Sequence, residues 1–317
     1  AQAALYDYQS AAMTVSAETS LTWYELLSVR EQLELINAQI KTNEDIVKLI
    51  RARFVTGQIR AVDILRQEQL LESTKSQKII DETEIKLLEN ELAILLGQSP
   101  QNFRNLLVDS LPALPPLPQT GLPLELVRRR PDVQQAFSLV LAADREMAEA
   151  IRSRYPRISI GLEGQFSAGN YNNIFQNWAY SLAGNLVAPL IYGGRINAEV
   201  GRTEAIKQQH LYLYGQSVLV AFKEVEDALI REINHTKRIE ILERQLDLAE
   251  KTNGQLKIEF LNGMSDYLDV LYSLEQEQQL QRDLLDAKLT QLEIRIGLYR
   301  ALAGGFESEP LENRNNN

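Results

Sequence analysis

The chain has two histidines and no cysteine, which rules out disulfides and thiolate metal sites. His210 and His235 do not have the i, i+4 spacing that puts two imidazoles on one helix face, so a helical metal site built on a histidine pair is ruled out. Each is read as lying on a solvated helix face. Met13, Met147 and Met264 are scattered and read as gap-fillers. No phosphate-cradling glycine loop, nucleophile elbow or histidine-containing triad is present. Acidic pairs such as Asp266 and Asp269 recur in a chain with 43 Asp and Glu residues, and helix capping accounts for them. The reading is therefore no enzyme, no cofactor and no metal. A net charge of -10 argues against nucleic-acid binding, which needs clustered Lys and Arg. Arg128-Arg129-Arg130 is the one such run, read as packing and capping.

The elements that carry these residues are long. Positions 1–54 contain neither Gly nor Pro, nor do positions 59–96, and apolar residues such as Ile46, Leu49 and Ile50 recur at helical spacing. Two antiparallel helices joined at Gly57 follow, and a second pair is expected from Arg195 to about Phe260 and from Asp266 to about Leu302. At a rise of ~1.5 Å per residue the longest would reach on the order of 100 Å, which implies a coiled-coil rod or tube. The tips of the two pairs repeat one motif: Arg53-Phe54-Val55-Thr56-Gly57 with Val62-Asp63-Ile64-Leu65, then Glu259-Phe260-Leu261-Asn262-Gly263 with Leu268-Asp269-Val270-Leu271. A duplicated unit is the simplest explanation. Pro112, Pro115, Pro116, Pro118 and Pro123 form a stiff connector between the halves, and a further helix starts near Pro131 and stops by Pro156.

Between that helix and Arg195 the period changes to two. Ile158, Ile160, Leu162 and Phe166 alternate with Ser159, Gly161, Glu163 and Gln165. Trp178, Tyr180, Leu182, Leu186 and Leu190 alternate with small or polar residues. Positions 164–194 carry no Asp, Glu, Lys or Arg. Such strands fit a membrane β-barrel hairpin, with Tyr171, Phe175, Trp178 and Tyr180 as an interfacial girdle. A water-soluble hairpin packed on a helix fits the periodicity alone equally well; the polar face, uncharged over positions 164–194, favours the barrel wall. Ala1 lies inside a helical pattern, so the true amino terminus is expected to be missing.

This order of elements resembles the TolC-type outer-membrane efflux channels, and more closely the outer-membrane lipoproteins that serve RND (resistance-nodulation-division) pumps. The resemblance is carried by Leu122-Pro123-Leu124-Glu125-Leu126-Val127-Arg128-Arg129-Arg130-Pro131-Asp132-Val133, by Pro156-Arg157-Ile158-Ser159 entering the first strand, by Pro189-Leu190-Ile191-Tyr192-Gly193-Gly194-Arg195 leaving the second, and by Tyr267-Leu268-Asp269-Val270-Leu271 after the second tip. It implies a mainly α fold in which long antiparallel helices form a periplasmic tunnel and strands join a trimeric outer-membrane barrel. Positions 1–108 become a first-repeat helical hairpin lacking its leading helix and β-hairpin. They are followed by a linker (109–122), a helix of the second repeat (123–155), the barrel hairpin (156–194), the second long helical hairpin (195–305) and a mobile tail (306–317). The expected partners are two further copies of the chain, a periplasmic adaptor (membrane fusion protein), an inner-membrane efflux pump and outer-membrane lipid, with no nucleic acid.

The resemblance also implies roles for the tips. Phe54, Val55, Gly57, Phe260, Leu261 and Gly263 would lie at or beside the adaptor contact, the glycines also supplying the positive φ of the reversal. Asp63 and Asp269 occupy the places of an acidic periplasmic gate, although the same acids suit the first turn of any helix. Where some family members have another aspartate one turn on, this chain has Arg66 and Tyr272. A coiled-coil scaffold without channel activity is the alternative reading, and the uncharged hairpin has no use in it.

Overall fold

The computed structural model describes residues 2–102, 111–112, 114–115, 129–166 and 178–302. Helices α1 (Gln2–Val55) and α2 (Ala61–Leu95) are followed by a short 3-10 turn, Pro100–Asn102. Then come α3 (Pro131–Arg152), strands β1 (Arg157–Phe166) and β2 (Trp178–Val187), and helices α4 (Arg195–Leu261) and α5 (Tyr267–Leu302). Among the described residues no helix is long and apolar enough to cross a membrane.

Three helices end in the same way. At Gly57, Gly97 and Gly263 the backbone takes φ of 71°, 69° and 75°, a conformation in which a Cβ would be strained. At the first tip the Gly57 amide donates to the Phe54 carbonyl at 2.9 Å and the Gln58 amide to the Arg53 carbonyl at 3.0 Å. At the second, the Gly263 and Met264 amides donate to the Phe260 and Glu259 carbonyls at 3.1 and 2.9 Å. These are the two reciprocal bonds of a Schellman termination, and the duplication seen in the sequence is therefore repeated in the backbone.

The chain packs as two compact units, Ala1–Asp7 with Pro131–Leu219, and Tyr8–Arg130 with Val220–Asn317. The division cuts across the sequence repeat, since each unit draws on both α1 and α4. In the first unit α3 lies along the start of α4, with the rings of Phe137 and Tyr214 5.5 Å apart and Lys207 paired to Asp144 at 2.6 Å. Pro131 opens α3, and the Asp132 carboxylate accepts the Val133 amide at 2.9 Å.

In the second unit the helices pair antiparallel. Arg30–Glu89 and Arg51–Glu68 join α1 to α2, and the bonds from His235 to Ala287 and from Asn253 to Glu277 join α4 to α5. Apolar clusters lie toward both ends of this bundle. Ile50, Phe260, Tyr267, Val270 and Leu271 pack near the glycine tips; Leu26, Leu88 and Leu92, and separately Val225, Leu298, Ala301 and Leu302, pack at the other end. Arg130 is buried beside Ala301, donating to its carbonyl at 3.3 Å and pairing with Glu224 at 2.7 Å. It covers the carbonyl end of α5, the favourable place for a cation. Arg129 is exposed, and Arg128 lies outside the described residues.

His235 departs from the sequence reading. It is buried, and its Nε2 lies 2.7 Å from the Ala287 carbonyl oxygen. Ala287 leaves room on α5 for the imidazole to enter, a neighbour that no local spacing reveals.

Candidate functional site

The hairpin register is the first feature that bears on function. β1 and β2 pair antiparallel with Ile158 opposite Leu186, Ile160 opposite Gly184, Leu162 opposite Leu182, Gly164 opposite Tyr180 and Phe166 opposite Trp178. Because side chains alternate between faces, these rungs share one face, which holds apolar residues and glycine. The other face carries Ser159 opposite Asn185, Gly161 opposite Ala183, Glu163 opposite Ser181 and Gln165 opposite Ala179. A slip by one residue would mix the faces. Ile158, Ile160, Leu162, Leu182 and Leu186 are all exposed, and Trp178 stacks on Tyr180 with centroids 5.7 Å apart. Tyr171 and Phe175, the other two girdle residues expected from sequence, lie outside the described residues.

The glycine tips are the second feature, and their equivalent side chains are not equivalently placed. Asp63 is 2% exposed and held by Arg60, whose Nε and Nη2 donate to its two oxygens at 3.0 and 3.1 Å; Arg66 stands 3.5 Å away. Asp269, in the same place of the second copy, is exposed and makes no ion pair among the described residues. Phe54 is 45% exposed, whereas Phe260 is 9% exposed and packs edge-on against Tyr267 at 5.4 Å. Arg53 of the first copy lies over the Phe260 ring, 4.9 Å from its centroid, with its guanidinium near the Phe260 and Leu261 carbonyls. It thereby caps the end of α4 from the other repeat. Val55 and Leu261 remain exposed; Phe260, expected beside the contact surface, is turned inward.

The sequence reading assigned no role to Arg60 or Tyr267. Arg60 had a signal in its i, i+3 spacing to Asp63. Tyr267 had none, because its counterpart is Ala61. Its hydroxyl donates to Gln67 Oε1 at 2.5 Å, and burial with the nearby Asp63 charge raises its pKa above the ordinary phenol range. From Gln67 a buried polar chain runs inward. Gln67 donates to Asn43 at 3.3 Å, Gln278 donates to Asn43 at 3.1 Å, Asn43 donates to Thr74 at 3.1 Å, and Gln39 donates to the Gln278 carbonyl at 3.1 Å. Arg282 closes the chain on Gln39 at 2.6 Å. Beside it burial raises the pKa of Asp81 and of Asp286, the latter helped by Asp283. This layer links α1, α2 and α5 between the apolar clusters.

A family model described as outer membrane efflux protein matches residues 1–98 and 122–304. The chain belongs to the outer membrane efflux protein family. Among its relatives, the pyoverdine export outer membrane protein OpmQ of Pseudomonas aeruginosa is 26% identical over 312 residues, covering 97% of this chain and 65% of OpmQ. The toluene efflux pump outer membrane protein TtgF of Pseudomonas putida is 26% identical over 334 residues, covering 99% of this chain and 68% of TtgF. The chain thus spans about two thirds of the length of these relatives. The outer membrane protein VceC of Vibrio cholerae superposes with a TM-score of 0.84 at 23% identity, covering 96% of this chain and 74% of VceC. The family fold is therefore that of long helices joined to an antiparallel strand hairpin.

Proposed function

We propose that the intact protein is the outer-membrane exit duct of a tripartite efflux system: a passive channel that does no catalysis, docked through a periplasmic adaptor to an inner-membrane pump. The hairpin register carries this reading. A hairpin of two ten-residue strands, with one exposed face of apolar residues and glycine and the other face mostly small and polar, suits a wall between lipid and an aqueous lumen. Among the described residues the two strands pair only with each other. Lipid does not tolerate the open edges this leaves, so further strands are required, and a trimer of the intact chain would supply them. One relative is named for pyoverdine and another for toluene, and a duct that leaves cargo choice to its pump fits both.

At the narrow end, the exposed Val55 and Leu261, the half-exposed Phe54 and the two glycine turns form the surface offered to the adaptor. Of the two gate acids, Asp269 is the free carboxylate that would attract cations to the closed pore, and Asp63 is neutralised by Arg60 and Arg66. Single-channel conductance of the intact protein in a planar bilayer, with a trivalent cation on the periplasmic side, tests this. Small cation-selective currents blocked by the trivalent ion are expected. Folded protein that neither conducts nor enters the outer membrane would overturn the duct in favour of a coiled-coil scaffold.

A further inference from the structure

The base of the hairpin carries a basic and aromatic cleft that a passive duct does not require. Arg152 closes α3, Arg157 opens β1 and Arg195 opens α4. All three are exposed, and none forms an ion pair among the described residues. They line one open cleft of about 690 Å³ together with Tyr155 and Tyr192, and the Arg195 guanidinium lies 5.3 Å from the centre of the Tyr192 ring. Glu149 and Glu199 share the cleft. Both Glu199 oxygens accept from Arg202, at 2.6 and 3.0 Å, which leaves Glu149 as the one lining carboxylate without an ion pair among the described residues, against three arginines. The strand register fixes the side on which the cleft opens. Arg157 pairs with Val187 and both line the cleft, whereas Ile158 and Leu186 of the next rung do not. Arg157 and Val187 therefore share the face of Ser159 and Asn185, the face turned from lipid toward the lumen in the duct. The next charge along that face is Glu163, about 20 Å further up the strand.

We infer that this cleft is a lumenal binding station for polyvalent organic anions, bearing carboxylate or phosphate groups, that pass through the duct. The inference rests on the reading of the hairpin as a wall between lipid and lumen. A guanidinium presents paired N–H donors in one plane, which match the oxygens of a carboxylate or phosphate. Three of them around one recess favour an anion with several charged groups over a monovalent one, because a cleft lined by one sign of charge focuses its field. Tyr192 carries the Arg195 guanidinium over its ring, and Tyr155 adds a hydroxyl donor and an apolar face for the carbon frame of the anion. The arginines are exposed, so water and salt screen the attraction and the anion is held briefly, as a conduit needs. Each copy in an assembled duct would repeat the set at one level, and rings of cationic side chains favour anions in a pore. The three arginines come from three elements, so the station forms only when the helix ends and the strand base are assembled.

The test uses the intact protein in planar bilayers of neutral lipid, with citrate added on the side away from the periplasmic tips. Citrate is expected to cause a flickering block that chloride at the same ionic strength does not, and R152Q/R157Q/R195Q to raise the half-blocking citrate concentration at least tenfold. In a potassium chloride gradient the triple variant is also expected to shift the reversal potential toward stronger cation selectivity. If the triple variant does not assemble, R157Q alone, which leaves the backbone pairing of β1 intact, is expected to raise the half-blocking concentration at least twofold. Citrate acting no differently from chloride, or block undiminished in the variants, would overturn the station. Calorimetric titration of citrate into the same detergent-purified protein separates the station from the duct. Binding that the variants lose would sustain the anion site even in protein that does not conduct, where the duct reading alone fails. Absence of binding would overturn the site whether or not the protein conducts.

Discussion

The two glycine tips share a backbone but differ in their side chains. Both reverse on a glycine with positive φ and both close with the same pair of carbonyl bonds. Yet the phenylalanine of the second tip is buried while that of the first is half-exposed, and the aspartate of the first is buried while that of the second is exposed. Tyr267 stands where the first copy has Ala61, and its ring covers Phe260. Arg60 stands where the second copy has Asp266, and it neutralises Asp63. A duplicated backbone therefore carries two different sets of side-chain contacts: the second tip buries its phenylalanine and exposes its aspartate, and the first does the reverse.

The largest separation between the tips is expected on truncation of the aromatics. Phe260→Ala should cost about 3–5 kcal/mol of stability, as for a buried ring left as a cavity, and Phe54→Ala about 1 kcal/mol or less. Denaturant unfolding of the intact protein measures both, and equal losses would break the comparison. Tyr267→Phe should cost about 1–3 kcal/mol, because Gln67 Oε1 loses its donor inside the bundle. Gly57→Ala and Gly263→Ala should each cost about 1–2 kcal/mol. Here the tips should behave alike, since both glycines take the same conformation and a Cβ at either would meet no atom within 4 Å, leaving backbone strain as the whole effect.

Charge substitutions sharpen the comparison without large effects on stability. Asp269→Asn should weaken trivalent-cation block of the channel several-fold, whereas Asp63→Asn, removing a carboxylate already held by two arginines, should change block little. Comparable loss in both would restore equal gate roles. The smallest effect concerns two acids beside Arg282, the buried Asp81 and the more exposed Asp286. Burial raises the pKa of Asp81 and Asp286 in the folded protein, so the folded state binds protons more tightly than the unfolded chain. Their ionisation therefore costs stability as pH rises out of the ordinary aspartate range, and the cost is absent below it. Asp81→Asn should raise Tm at neutral pH, with the gain fading as pH falls toward about 4.

Much of the fold was legible because it rests on local rules. Long stretches without Gly or Pro become α1, α2, α4 and α5, and alternation from Ile158 to Phe166 and from Trp178 to Leu186 becomes a paired hairpin. Less of the candidate site was legible. Asp63 and Asp269 carry the same motif and so had the same reading, and His235 looked like a surface residue. The signals that separate them lie on other helices: Tyr267 is far from Gln67 in sequence, and Ala287 is far from His235.

By itself the sequence determined where the backbone must break and which strand residues share a face. Positive φ belongs to the glycine, and side-chain alternation belongs to the extended chain; neither needs a distant neighbour. Only the tertiary structure decided which copy of each repeated residue is buried, which carboxylate is neutralised, and that three separate arginines meet at the foot of the hairpin. Burial and ion pairing depend on groups brought together by packing, and the two repeats meet different neighbours.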